Sequence, residues 1–534
     1  MLSGAAAGAF AVGVLAFAFR YLTISPIEND HFVMLARAQQ VLFGDWPIRD
    51  FEDPGQPLFY LLTAGAAALS GPVLAINIVL CILLQAIAAS CTYLLARRAS
   101  GSALVGVAAA IVAIVSSPRL YNSTKVIVPV VAILAQWRYV DAPGLRRLMA
   151  ISGSTAVAFL LRHDYAVYVV ASTIVLLAVR DLSQPREAIR HIAMYCGVAL
   201  LCVAPWLAYV QWNEGLGEYA SAALRFVASE GRRTAAGRPE VLYYLLALIP
   251  LCGMVLAFKS PPSRTETPRP PSRIEGPRPS SRTEPDRFGA LTAAHLASTS
   301  VLVLMMNAVF LRDVLLARLP DVIAPTVVLA AALMGQVCHA KTLRIGALVF
   351  CGTTMVFASM SLAAAGYRIP TPAAGVRQAI RVTVRLVRAS PDIQPGSRYA
   401  PIVAYLARCT APGDRVFVAG FGPQIPFLAG RPFAGGLPSW IPGYYETPAD
   451  IARARRRLDR EPVAAAVLLE GSRAFEAAWP ELAAWFRDHG FDEYGFPGVG
   501  DLRIWLPQPT VPPIDDVTRG PCGSPSPFPL PPSP

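Results

Sequence analysis

The chain has 534 residues, of which 54% are hydrophobic and only 15% charged, and its mean hydropathy is +0.45. An ordinary soluble domain carries roughly 25% charged residues, and the apolar blocks here are too long and charge-free to be core helices. A plain soluble enzyme is therefore excluded, and a polytopic membrane protein is the starting class. The net charge of +12 could suggest nucleic acid, but the arginines cluster between apolar blocks, as positive-inside asymmetry produces, and no nucleic-acid motif accompanies them.

In chain order, apolar runs between charged punctuation give about eleven candidate spans of ~20 residues each. They fall near residues 2–20, 73–96, 102–117, 126–140, 148–162, 164–179, 191–212, 241–258, 289–310, 321–338 and 345–365. The first lacks a basic leading region, which favours a retained span over a cleaved signal peptide. Alternation then places Arg97, Arg98, Arg146, Arg147, Arg180, Arg190, Lys259, Arg287, Lys341 and Arg344 on one face, the cytoplasmic one. The expectation is an α-helical multi-pass protein of the inner membrane with a cytoplasmic amino terminus. Residues 1–365 would form the membrane domain, with a first external loop over 21–72.

Two apolar or mixed stretches are too short or too charged to cross. Residues 57–70 end at Gly71-Pro72 after less than a full span, which fits an interfacial or re-entrant helix. Residues 218–233 mix Tyr, Leu, Phe and Val with Arg and Glu at helical spacing and read as a helix on the outer surface. An insert over 259–288 is an imperfect nine-residue repeat of Pro, Arg and Ser with nothing to form a core, a disordered cytoplasmic linker. Residues 366–506 read as an extracytoplasmic α/β domain, since 415–419 and 463–469 are buried-strand patterns, each followed by Gly and a helix-compatible segment. Pro423 in Gly420-Phe421-Gly422-Pro423 removes a backbone donor where a phosphate loop needs one, so a nucleotide site there is set aside. The tail, 507–534, is Pro-rich and takes no assigned structure. Most of the nine cysteines lie in apolar blocks; Cys409 and Cys522 lie outside them and could pair in an oxidising compartment.

The first external loop is dense in carboxylates: Glu28, Asp30, Asp50, Glu52 and Asp53. Asp30 reads in two compatible ways, as the N-cap of a helix beginning at His31 and as a general base at the mouth of a membrane cavity. The acids offer oxygen ligands enough for a divalent ion such as Mg or Mn, although a dense acidic loop is more often solvated. No cofactor is certain.

The loop resembles a family. Asp30-His31, Ala36-Arg37-Ala38, Gly44-Asp45-Trp46-Pro47, Asp50-Phe51 and Pro57-Leu58-Phe59-Tyr60 stand in the order found in GT-C polytopic glycosyltransferases. The similarity is to the bacterial protein-mannosyltransferase-like and aminoarabinose-transferase-like branch. His31 departs from the pattern, since many members carry Glu there. The resemblance extends to Leu161-Arg162-His163-Asp164-Tyr165, to Leu311-Arg312-Asp313 and, in the carboxyl domain, to Gly420-Phe421-Gly422-Pro423-Gln424 and Phe427-Leu428-Ala429-Gly430-Arg431. It implies transfer of a sugar from a polyprenyl-phosphate carrier to an acceptor (lipid, glycan or protein) on the outer face. Asp30 would be the catalytic base, and Arg162 and Arg312, with Lys125 and Arg119 behind them, would hold the donor phosphate, since a planar guanidinium grips two oxygens. An Arg-Asp pair in a tight turn is equally a structural ion pair, and His163 beside Asp164 is either hydrogen-bonded or a proton-transfer group. Glu28, His31, Asp50, Glu52, His163, Asp164 and Asp313 would line the substrate cavity. A transporter, or a non-catalytic envelope-glycan assembly or export component, is the competing class. Transporters place ionisable groups near the midplane and repeat their halves, and neither feature occurs here.

Overall fold

A computed structural model describes residues 4–24, 27, 29–116, 119–234, 241–259, 293–312, 318, 320–337, 340–364, 372–388, 399–495 and 501–508. The chain begins with α1 (Gly4–Leu22), α2 (Asn29–Leu42), α3 (Pro57–Ser70), α4 (Val73–Ser100) and α5 (Ala103–Val115). After a 3-10 turn follow α6 (Ser123–Asp141), α7 (Leu145–Leu161), α8 (His163–Arg180), α9 (Pro185–Asn213), α10 (Leu216–Thr234) and α11 (Val241–Lys259). Then come α12 (Ala293–Arg312), α13 (Pro320–Val337), α14 (Ala340–Ala364) and α15 (Pro372–Arg388). Each apolar run read as a span thus coincides with a helix. Among the described residues, α1, α4, α8 and α9 are long and apolar enough to cross a membrane.

The chain divides into two compact units, one of residues 1–20, 83–203 and 234–369, the other of residues 21–82, 204–233 and 370–534. The first is helical and packs through small residues. The Cβ-less faces of Gly8 and Gly106 lie against Tyr93, and Gly335 lies against the Ala99 carbonyl. Close backbone approach of this kind substitutes, in a bilayer, for a hydrophobic driving force that lipid does not supply. Polar side chains tie the same helices: Gln136 donates to Ser172 (2.8 Å) and Thr173 (3.0 Å), and Trp137 to Thr299 (3.0 Å).

The second unit carries the sheet. Its remaining elements are α16 (Ala400–Cys409), β1 (Arg415–Ala419), α17 (Gln424–Ala429), α18 (Pro448–Leu458), β2 (Val463–Leu468), α19 (Gly471–Ala478), α20 (Pro480–Asp488), β3 (Phe491–Gly495) and β4 (Arg503–Pro507). Strand order is β1-β2-β4-β3, with β1 and β2 parallel and the other pairs antiparallel. Alternation along β1 sends Phe417 and Ala419 to one face, with α18 to α20, and Val416 and Val418 to the other, with α16 and α17. Burial on both faces explains why RVFVA and VAAAVL read as continuous apolar strands. α18 starts from Thr447, whose hydroxyl accepts the Asp450 N–H (3.3 Å).

Several expectations shift. The tail expected from residue 507 begins later, because Pro507 ends β4 opposite Phe491 and Gln508 N–H still reaches the Gly490 carbonyl (2.8 Å). The repeat-bearing insert beyond Lys259, and Cys522 with its expected pairing, lie outside the described residues. Gly420 is a glycine for packing: at φ 95° its α-carbon faces Leu469, as does that of Gly422, leaving no open phosphate cradle.

Candidate functional site

In the first unit, α7 and α8 are joined by one extended residue, Arg162 (φ −169°, ψ 107°). The break turns its guanidinium toward Asp164 (2.9 Å) and over the Tyr165 ring, 5.5 Å from its centroid. The pair in the turn is therefore an ion pair. His163 stacks on Phe159, with ring centroids 4.0 Å apart. Facing elements bring a second pair: Lys125, in the first turn of α6, donates to Asp321 (3.1 Å) in the first turn of α13, which also accepts from Asn122 (3.0 Å). Lys125, Arg162 and Arg318 all lie within electrostatic reach of Asp321. Asp321 is 3% exposed, and its second carboxylate oxygen, Oδ1, has no hydrogen-bond partner among the described residues. Three cations thus gather around two carboxylates, Asp164 and Asp321. Asp321 was not legible as a site residue, because an Asp following Pro at a helix start reads as a terminal signal and nothing more. Arg312 ends α12, and nothing is described of its side chain; Asp313 lies outside the described residues.

In the second unit the acidic loop is committed to partners. Arg415 grips Asp45 through both nitrogens (2.7 and 2.9 Å), and Gln40 donates to the same carboxylate (2.6 Å). Asp50 accepts from Arg49 (2.6 Å) and from the Trp46 N–H (2.8 Å). Glu52 pairs with Arg453 (3.1 Å), which also pairs with Glu214 and with Glu218 (2.8 Å). Asp53 accepts from the hydroxyls of Tyr219 (2.6 Å) and Tyr60 (3.1 Å). Burial pushes the Glu52 and Glu214 carboxyls above the usual carboxylate range, with Arg453 pulling the other way. Asp45, Asp50, Glu52 and Asp53 thus each face a cation or hydroxyl, and among the described residues no group of three potential metal ligands is found. Asp50 and Glu52, expected to line the substrate cavity, are held in these pairs. Glu28 lies outside the described residues.

Asp30 is exposed, in the first turn of α2. The helix is assigned from Asn29, which puts Asp30 in its first turn, where a carboxylate complements the helix dipole. His31, the departure from the family pattern, points the other way into the protein. It is 2% exposed and its Nε2 lies 2.6 Å from the Asn77 amide oxygen, while Asn77 donates to Thr63 (2.9 Å) and Thr63 to the Phe59 carbonyl (3.0 Å). Because the Asn77 nitrogen is spent on Thr63, its oxygen must accept, which places the histidine proton on Nε2. Such a chain joins α2, α3 and α4 and holds His31, expected to line the substrate cavity, in a buried hydrogen-bond relay.

Burial lowers the His31 pKa from 6.5 to about 4. The unfolded chain then binds the proton more readily between these values, so stability is full above pH 6.5 and falls as pH drops toward 4, by on the order of 3 kcal/mol. Thermal unfolding in detergent across that window should show the loss, and His31→Gln, which keeps a donor without titrating, should flatten it. An acid limb unchanged in His31→Gln would remove this assignment.

No protein-family model matches the chain, and no curated protein matches it. Among solved structures it is similar to the crystal structure of ArnT from Cupriavidus metallidurans bound to undecaprenyl phosphate, at 15% identity and a TM-score of 0.49, with 94% of this chain and 98% of that chain covered.

Proposed function

We propose that the chain is an integral-membrane glycosyltransferase of the GT-C type that moves a sugar from a polyprenyl-phosphate carrier to an acceptor at the extracytoplasmic face of the inner membrane. The observation that carries the reading is the gathering of Lys125, Arg162 and Arg318 about Asp321. Lys125 and Arg162 are largely buried at the ends of apolar helices, beside Asp321 and Asp164, and a cluster of cations at such a position suits an anionic substrate group. The order of motifs across residues 28–60 supports the same class. In this reading an acceptor hydroxyl attacks the anomeric carbon and gives its proton to Asp30. The bond from that carbon to the phosphate oxygen breaks, and polyprenyl phosphate leaves with the bonding pair, held by Lys125 and Arg162, with Arg312 as a further cation.

Release of polyprenyl phosphate by purified full-length protein, given a panel of radiolabelled polyprenyl-phosphate sugars, tests this directly. Arg162→Gln leaves Asp164 solvated and the fold intact, so it should reduce kcat/KM for the donor by about 10- to 100-fold through loss of a charge-assisted contact. Folded protein that releases nothing from any donor would overturn the class, and an unchanged kcat/KM in Arg162→Gln would move the phosphate elsewhere.

A further inference from the structure

α15 presents an apolar stripe that nothing in its own unit covers. Val376, Ile380, Val384 and Val387 recur at helical spacing and are 62%, 58%, 43% and 53% exposed, while Gly375 and Leu386 on another side are buried. The helix, PAAGVRQAIRVTVRLVR, has four arginines and no acidic residue, and the Arg377 and Arg381 side chains are exposed beside the stripe. The helix is tied to the end of the first span: Gln378, away from the stripe, donates to the Leu22 carbonyl (2.5 Å), and Thr383, exposed at the edge of the stripe, shares a hydroxyl hydrogen bond with Tyr21. Leu22 is the last residue of a helix long and apolar enough to cross the membrane.

We infer that α15 is an in-plane membrane-surface helix, its Val/Ile stripe seated among acyl chains and its arginines on anionic lipid headgroups. An amphipathic helix with a purely basic polar border is the form that binds such a surface, because apolar burial and headgroup attraction act together. The contacts with Tyr21 and Leu22 hold the helix beside the end of α1, at the depth where that stripe meets lipid. The inference rests on no part of the sugar-transfer reading.

Hydrogen exchange over residues 372–388 of the full-length protein, held one copy per nanodisc, tests it. Discs of phosphatidylcholine alone are compared with discs about one-third phosphatidylglycerol. Exchange should slow in the anionic discs by about fivefold per engaged arginine. Arg377→Gln with Arg381→Gln should abolish that dependence on lipid charge, and Arg377→Lys with Arg381→Lys should keep it. Val376→Ser with Ile380→Ser should speed exchange in both kinds of disc. Exchange independent of lipid charge in the wild type would overturn the inference. Protection that appears only in discs holding two copies would give the face to a second chain and overturn it equally.

Discussion

Replacing Asp30 by asparagine is expected to lower sugar transfer by about 10²- to 10⁴-fold, the cost of losing a general base. The substitution is isosteric, and the residue is exposed in the first turn of α2. Asparagine keeps the shape and hydrogen-bonding capacity of the side chain, so the expected cost to the fold is of the size of the dipole contribution, about 0.3–1 kcal/mol. Turnover of folded Asp30→Asn is best measured beside Asp50→Asn, which breaks only a turn carboxylate held by its neighbours Arg49 and Trp46. Near-normal transfer by Asp30→Asn would eliminate the assignment, and a collapse confined to Asp50→Asn would relocate the base.

The largest effect on stability should come from Arg453→Met. The Arg453 side chain is 12% exposed and bridges Glu52 (16%) and Glu214 (14%), so its removal leaves two mostly buried carboxylates without the cation they are paired with, Arg457 remaining within electrostatic reach. Breaking a buried pair from one side costs about 3–5 kcal/mol, while an exposed pair such as Arg455 with Glu481 contributes little. The sign with pH follows from the raised carboxyls. A glutamate whose folded pKa lies above its ordinary value of 4.5 favours the folded state when protonated and disfavours it as pH rises through the folded value. Loss of Arg453 raises both further, so the deficit against wild type should be widest at neutral pH and shrink as pH falls toward 4.5. A deficit that is absent, or that widens on acidification, would show the network to be surface decoration.

What could be read from the sequence divides by range. The helices of the first unit were legible because bilayer-length apolar runs are a local signal, and β1 and β2 because strands buried on both faces are continuously apolar. β3 and β4 were not. Phe491-Asp492-Glu493-Tyr494 carries two adjacent acids, and Arg503 and Pro507 bracket the other, so neither strand shows an apolar run; their pairing with each other supplies what local pattern lacks. The pairing of the acidic loop was hidden for a related reason. Asp50 is held locally by Arg49 and Trp46, but the other partners stand far along the chain: Tyr219 is 166 positions from Asp53, Arg415 370 from Asp45, and Arg453 401 from Glu52. The burial of His31 was hidden in the same way, since Asn77, 46 positions on, accepts its hydrogen bond.

Those separations also set an order of events during synthesis. Glu52 leaves the ribosome 401 residues before Arg453, a gap of about 20 to 80 s at ordinary elongation rates of 5–20 residues per second. For that interval Asp45 and Glu52 lack the arginines they pair with, while the helices of the first unit can already pack through their own glycines and hydroxyls. The second unit is therefore completed last and all at once, when the arrival of β1 and α18 delivers Arg415 and Arg453 together. A chain that stops before residue 415 leaves Asp45 and Glu52 without the arginines that close on them in the finished unit.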